Sequence, residues 1–140
     1  MLNIYFAAPL HDAEDQRRNA IWVEDLRIRG HKVYLPQEHG VWEDLLSQFD
    51  NDPTLVRRYL FKQDLYAMQK AQCIVAAVDR EKGPSEGMLW EMGWAHGANK
   101  PVFLFNPHGR HRYNLMPQFG ATMFEDWLQL LNYLDEQDFK

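Results

Sequence analysis

The chain of 140 residues has a single cysteine, Cys73, so it cannot form an internal disulfide. Set in the apolar run "CIVAAVD", that cysteine reads as a small buried hydrophobe and not as a nucleophile. No apolar run is long enough to cross a bilayer, and the opening residues "MLNIYFAAPL" carry neither a basic n-region nor a cleavage-site pattern. These absences point to a cytoplasmic protein with no membrane partner. Positive charge is in deficit: 15 Lys and Arg against 20 Asp and Glu leave a formal charge of −5. Nucleic acid is therefore not expected as a partner, although "HGRHRY" from His108 to Tyr113 makes one local basic patch. There is no H-E-x-x-H and no cysteine pair, and His96, His108 and His111 lack acidic neighbours at ligand spacing, so no metal is expected. Where a dinucleotide fold would place G-x-G-x-x-G after its first strand, this chain has "AAPLHD", and no cofactor is expected.

What is present is an alternation. "NIYFAA" (Asn3 to Ala8), "HKVYLP" (His31 to Pro36), "CIVAAVD" (Cys73 to Asp79) and "KPVFLFNP" (Lys100 to Pro107) are short apolar runs bounded by turn formers, the signature of strands buried on both faces. Helical stretches lie between them, at Ala13 to Arg29, Pro53 to Ala71 and Pro84 to Gly97, with a last one from Phe124 to Leu134. This order predicts an α/β three-layer sandwich, flavodoxin-like or Rossmann-like, around a mostly parallel five-stranded sheet. Without repeats, low-complexity tracts or linkers, residues 1–140 read as one domain. A chain of this length buries about two thirds of its unfolded surface. "QEHGVWEDLLSQFDND" (Gln37 to Asp52) is an excursion after the second strand, with a short helix expected at Val41 to Phe49.

Open parallel sheets bind ligands beyond the carboxyl ends of their strands. Tyr5 lies in the first strand, Asp79 ends the third, and "GPSEG" opens the following helix with a Ser or Gly cap and free backbone N–H groups. Taken alone, that turn is better read as plain helix capping. Glu91 is harder to dismiss. It lies three residues after Met88 and four before Ala95, beside the stripe that faces the sheet, with Gly87 one turn earlier leaving open space above it. A carboxylate there is either paired or working: burial raises its pKa, and a hydrogen bond from a tyrosine favours the anion that nucleophilic attack needs. Asp64, four residues after Leu60 and three before Ala67, borders a similar stripe. It is either a surface ion-pair partner or a second carboxylate converging on the same sheet end for acid–base work.

These residues carry a resemblance to the nucleoside 2-deoxyribosyltransferases. It runs nearly end to end through "IYFAAPL", "FKQDLYAMQKAQCIVAAVD", "SEGMLWEMGWAHGANKPVFLF" and "YNLMPQFGATMFEDW". The resemblance implies that Glu91 attacks C1′ of a 2′-deoxynucleoside and expels the base, that Tyr5 orients that carboxylate, and that Asp64 exchanges a proton with the base. It further implies double displacement through a covalent deoxyribosyl-enzyme, resolved by a second purine or pyrimidine base. Ser85, Glu86, Gly87 and Asp79 are further candidates for substrate binding, and the resemblance implies that the segment from Asn114 to Met116 reaches a neighbouring subunit's site. The implied assembly is a homo-oligomer built from dimers, with a hexamer as one option. Trp42, Phe49, Trp90 and Trp94 are candidates for a stacking wall, or for core and subunit contacts.

One departure stands out. Six residues before Glu91, where many of these transferases carry Asp near the sugar's 5′ group, this chain has Ser85 followed by Glu86. A serine there resembles the related nucleoside 5′-monophosphate N-glycosidases, so hydrolysis of a monophosphate stands as an alternative to base exchange. A non-catalytic nucleotide-binding module is a third reading, one that would not need Glu91 and Tyr5 together.

Overall fold

A computed structural model describes residues 1–79, 83–109 and 113–138. The four apolar runs become β1 (Asn3–Ala7), β2 (Lys32–Tyr34), β3 (Cys73–Ala77) and β4 (Val102–Phe105), joined by β5 (Thr122–Phe124). Their order is β2-β1-β3-β4-β5, and every pairing is parallel. This is the flavodoxin-like order, whose switch point lies between β1 and β3. The helices are α1 (Ala13–Ile28), α2 (Trp42–Gln48), α3 (Pro53–Lys70), α4 (Glu86–Gly97), α5 (Leu115–Gly120) and α6 (Trp127–Asp135). A 3-10 turn at Pro36–Glu38 and then α2 fill the excursion after β2.

The period of two along each strand sorts its side chains into two cores. Leu2, Ile4, Phe6, Cys73, Val75, Phe103 and Phe105 pack with Val23 and Leu26 of α1 and Leu130 and Leu134 of α6. On the other face, Tyr5, Ala7, Ile74, Ala76, Val102 and Leu104 pack with Met68 of α3 and Met88, Met92 and Ala95 of α4. Tyr5 is thus the one hydroxyl-bearing side chain of β1 turned to the α3–α4 face. Its register partners are Ile74 on β3 and Tyr34 on β2, and the small pair Ala7 and Ala76 follows on the same face.

Two helix starts differ by more than one residue from the sequence-based expectation. The fourth helix begins at Glu86 because Ser85 takes extended backbone and its side chain accepts from Met88 N, which leaves Pro84 outside. The last begins at Trp127, capped by Asp126, because Phe124 is used in β5 opposite Phe105. The expected basic patch is only partly visible: Arg110, His111 and Arg112 lie outside the described residues. No helix among the described residues is long and apolar enough to cross a membrane.

Cys73 is free and fully buried at the start of β3, and burial pushes its thiol up to about 12. We expect no reaction with a water-soluble disulfide reagent at pH 8 in the native protein, and full reaction once urea unfolds it. Rapid labelling under native conditions would show that β3 is not held between two cores.

Candidate active site

Tyr5 and Tyr34 are register partners on β1 and β2. Their rings stack at 5.5 Å with 15° between planes. Each hydroxyl is directed to a different carboxylate. That of Tyr34 donates to Asp64 Oδ1 at 2.9 Å. That of Tyr5 is buried beside Glu91, near enough to influence it without closing a hydrogen bond of ordinary geometry, so the Tyr5 hydroxyl and Glu91 Oε2 both remain buried and unpartnered. Such orphaned groups cost roughly 1–3 kcal/mol each, so a site that keeps two of them facing one another holds polar capacity for something else.

Glu91 sits inside α4 on the side facing the sheet, and its carboxyl is pushed up to about 7. Burial is the main cause, the Tyr5 hydroxyl draws the value back, and the charge of Asp64 raises it again. Asp64 is raised as well, chiefly by burial, against the lowering pull of the Tyr34 hydroxyl and of His39. The phenol of Tyr5 is held far above its usual range by burial and by the two carboxylates, which keeps it a proton-bearing donor. Two carboxylic groups in one desolvated place, each with its own tyrosine, make an acid–base pair that can carry different protonation states near neutral pH.

Asp64 and Glu91 line a common cavity of about 450 Å3 with Phe61, Met68, Glu86, Gly87 and Trp90. A methyl group added at Gly87 would lie 4.0 Å from Glu91 Oε1, an ordinary contact, so the glycine leaves the approach to the carboxylate uncovered without relieving a clash. Trp90 meets Phe61 edge to face at 5.8 Å, and both are about half exposed at 52%, forming an apolar rim. Of the four aromatics expected as a stacking wall, only Trp90 is at this cavity among the described residues. Trp42 lies under the guanidinium of Arg57, Phe49 packs on Tyr59, and Trp94 packs against the core.

The remaining expected site residues lie elsewhere. Ser85 caps α4 through its contact with Met88 N at 3.2 Å. Asp79 pairs with His108 at 3.2 Å beyond the end of β3. Asn114 caps α5, and with Met116 it borders a second, larger cavity of about 780 Å3 between α4 and α5. No carboxylate among the described residues lines that larger space; its titratable side chains are those of His96 and Tyr113. Residues that sequence reasoning passed over are Tyr34, Phe61 and His39. Tyr34 closes β2 within the second apolar run, and Phe61 is three residues before Asp64 on the same helix, a spacing that was available to find it.

A parallel sheet with its carboxylates gathered at the β1–β3 switch point defines an α/β enzyme of small-molecule chemistry. The chain belongs to the nucleoside 2-deoxyribosyltransferase family, whose model matches residues 4–132. It is accordingly an enzyme of the deoxyribosyltransferase class. Among solved structures, it resembles a 2-deoxyribosyltransferase from Bacillus psychrosaccharolyticus, with 28% identity and a TM-score of 0.72 over 97% of this chain and 92% of that one. It shares its fold with a 2-deoxyribosyltransferase from Leishmania mexicana, at 17% identity and TM-score 0.67 over 96% and 97% of the two chains. The fold is also that of a CMP N-glycosidase from Clostridium botulinum, at 16% identity and TM-score 0.57 over 94% and 97%. No curated protein sequence matches the chain.

The desolvation of Glu91 has a consequence for stability. The folded protein holds this proton up to about 7, against 4.5 for an unperturbed carboxyl. Stability from the group is therefore complete below the unfolded value and is lost as pH rises through about 7. Glu91→Gln removes that loss. We expect its advantage over the wild type in urea unfolding to widen by about 2 kcal/mol between pH 5 and pH 8. A constant difference would show that Glu91 is solvated.

Proposed function

We propose that the protein exchanges the base of 2′-deoxynucleosides by double displacement, with Glu91 as the nucleophile. The observation that carries this reading is the convergence of Glu91 and Asp64 on one cavity, with the Tyr5 hydroxyl beside the former. A Glu91 oxygen bonds to C1′ as the C1′–N bond breaks, and the electron pair of that bond leaves with the base. Asp64 gives the departing base a proton. An incoming base then attacks C1′ from the face the first one left, its N–H proton passes to Asp64, and the Glu91 carboxylate is released. The chemistry parallels that of a retaining glycosidase, with a base in the place of water. Without a 2′-hydroxyl on the substrate, the cationic character that develops at C1′ is less opposed.

Tyr5 donates toward Glu91 and steers the carboxylate. Glu86 and Gly87 line the sugar side of the cavity, with Trp90 and Phe61 on its rim offering apolar faces to a base. Ser85 shapes the start of α4, and Asp79 lies at the sheet end beside His108. Asn114 and Met116 do not border the cavity of Glu91 in their own chain, which fits a homo-oligomer in which they complete a neighbour's site. The second reading, hydrolysis of a nucleoside 5′-monophosphate, is favoured by Ser85 at the helix start, where backbone N–H groups and a hydroxyl suit phosphate. Against it, Glu86 brings a further carboxylate to the same cavity.

The deciding assay is chromatographic, with 2′-deoxyuridine and adenine as donor and acceptor. Appearance of 2′-deoxyadenosine that falls by about 10^3-fold or more in Glu91→Ala is the expected result. Base release from a deoxynucleoside monophosphate without any acceptor would move the assignment to an N-glycosidase. Because attack requires the anion, kcat/KM should rise with pH around the Glu91 value of about 7. Tyr5→Phe should move this rise to higher pH, since the lost hydroxyl lowers the pKa of Glu91, and should cost about 10- to 100-fold in rate. An unmoved profile in Tyr5→Phe would separate Tyr5 from the nucleophile.

A further inference from the structure

Tyr34 is in contact with Tyr5, His39 and Asp64. One face of its ring lies on Tyr5. The other is covered by the His39 imidazole at 4.0 Å, with 6° between planes. Its hydroxyl reaches Asp64 Oδ1 at 2.9 Å, across from β2 to α3. Behind the stack, Tyr34 and His39 also border an open groove of about 630 Å3 with Arg27, Lys32 and Lys70. Tyr34 thus borders this groove and, through its hydroxyl, holds a carboxylate that lines the other cavity. A ring clamped flat on both sides has little freedom at χ1 and χ2, and its hydroxyl is fixed accordingly.

We propose that Tyr34 is the positioning residue for Asp64: its hydroxyl occupies Oδ1 and leaves Oδ2 to exchange the proton with the nucleobase, while the His39 contact keeps the ring in register. The reasoning rests on the role given to Asp64 above and extends it to which oxygen works and what holds it. A carboxyl free to rotate would present either oxygen at varying angles, and proton transfer to a departing base tolerates little misalignment. Tyr5 and Tyr34 then form a matched pair on adjacent strands, one serving the nucleophile and the other the acid–base group. The position of His39 in the excursion after β2 gives that excursion a direct connection to the chemistry.

The test compares leaving groups. 2′-Deoxyguanosine needs a proton to release its base, whereas its 7-methyl derivative carries a cationic base that leaves neutral with none. Single-turnover base release is measured for wild type, Tyr34→Phe and Asp64→Asn with both nucleosides. Phenylalanine preserves both stacking contacts, so thermal melting of Tyr34→Phe should stay close to wild type. The expected result is a loss of about 10-fold or more for Tyr34→Phe on 2′-deoxyguanosine, with the 7-methyl substrate changed by less than about 3-fold. Equal losses on both substrates, or no loss on either, would overturn the positioning role. If Asp64→Asn also fails to distinguish the two nucleosides, the acid–base reading of Asp64 falls and the inference falls with it. Discrimination by Asp64→Asn but not by Tyr34→Phe would sink this inference alone and leave that reading intact.

Discussion

The packing of α4 against the β1–β3 switch point is the constraint from which the site follows. Met88, Met92 and Ala95 anchor that helix on the sheet with almost no exposed surface. Glu91 lies between them in the same helical stripe and is carried inward whatever its own preference for water. Its desolvation, and hence a carboxyl near neutrality, is a product of hydrophobic packing on either side. The cost is tolerated because the cavity beside it gives one oxygen access and because Tyr5 offsets part of the burial. A helix of the same composition shifted by one residue would turn the carboxyl away from Tyr5 and bury a different side chain.

Much of this arrangement was legible in the sequence, for reasons that can be named. Four of the strands, β1 to β4, lie in apolar runs bordered by turn formers. Strands of this kind in a parallel sheet are covered on both faces, so they stand out by composition. Glu91 was conspicuous for the opposite reason, as a charge within an apolar stripe. α5 escaped because six residues are too few to show a period, and β5 because, unlike the equally short β2 within "HKVYLP", it lies outside any longer apolar run bounded by turn formers. The start of the last helix was misjudged at Phe124, since an aromatic beside Glu125 and Asp126 looks like a helix entrance until the strand pairing with Phe105 is seen.

The residues that escaped at the site did so for a different reason. Tyr34 lies within an apolar run, and nothing local distinguishes a tyrosine that fills space from one that holds a carboxylate. Its role comes from register: the β1–β2 pairing sets it opposite Tyr5, and α3 crosses so that Asp64 arrives within 2.9 Å. His39 lies in a stretch with no periodic signal, and only its stacking on Tyr34 singles it out. Conversely, Asn114 and Met116 were visible through the resemblance, yet their own chain places them at a different cavity. Sequence patterns report local environment well. They report partnerships between distant segments only when a family pattern supplies the connection.

The balance of charge in the cavity bears on substrate choice. Asp64, Glu86 and Glu91 all line it, and among the described residues no lysine or arginine does. Two unit charges about 6 Å apart repel by about 3 kcal/mol at an effective dielectric of about 20, and a phosphate carries close to two charges. The hydroxyl of Ser85 and the first N–H groups of α4 offset part of that repulsion. One of those N–H groups, that of Met88, is already bonded to Ser85. A neutral sugar hydroxyl meets no such penalty, because it can donate to a carboxylate such as Glu86 as readily as accept from a helix end. With a neutral ligand, the anionic lining becomes an asset: it favours the positive character that develops at C1′ when the base departs, and disfavours a ground state that already carries negative charge.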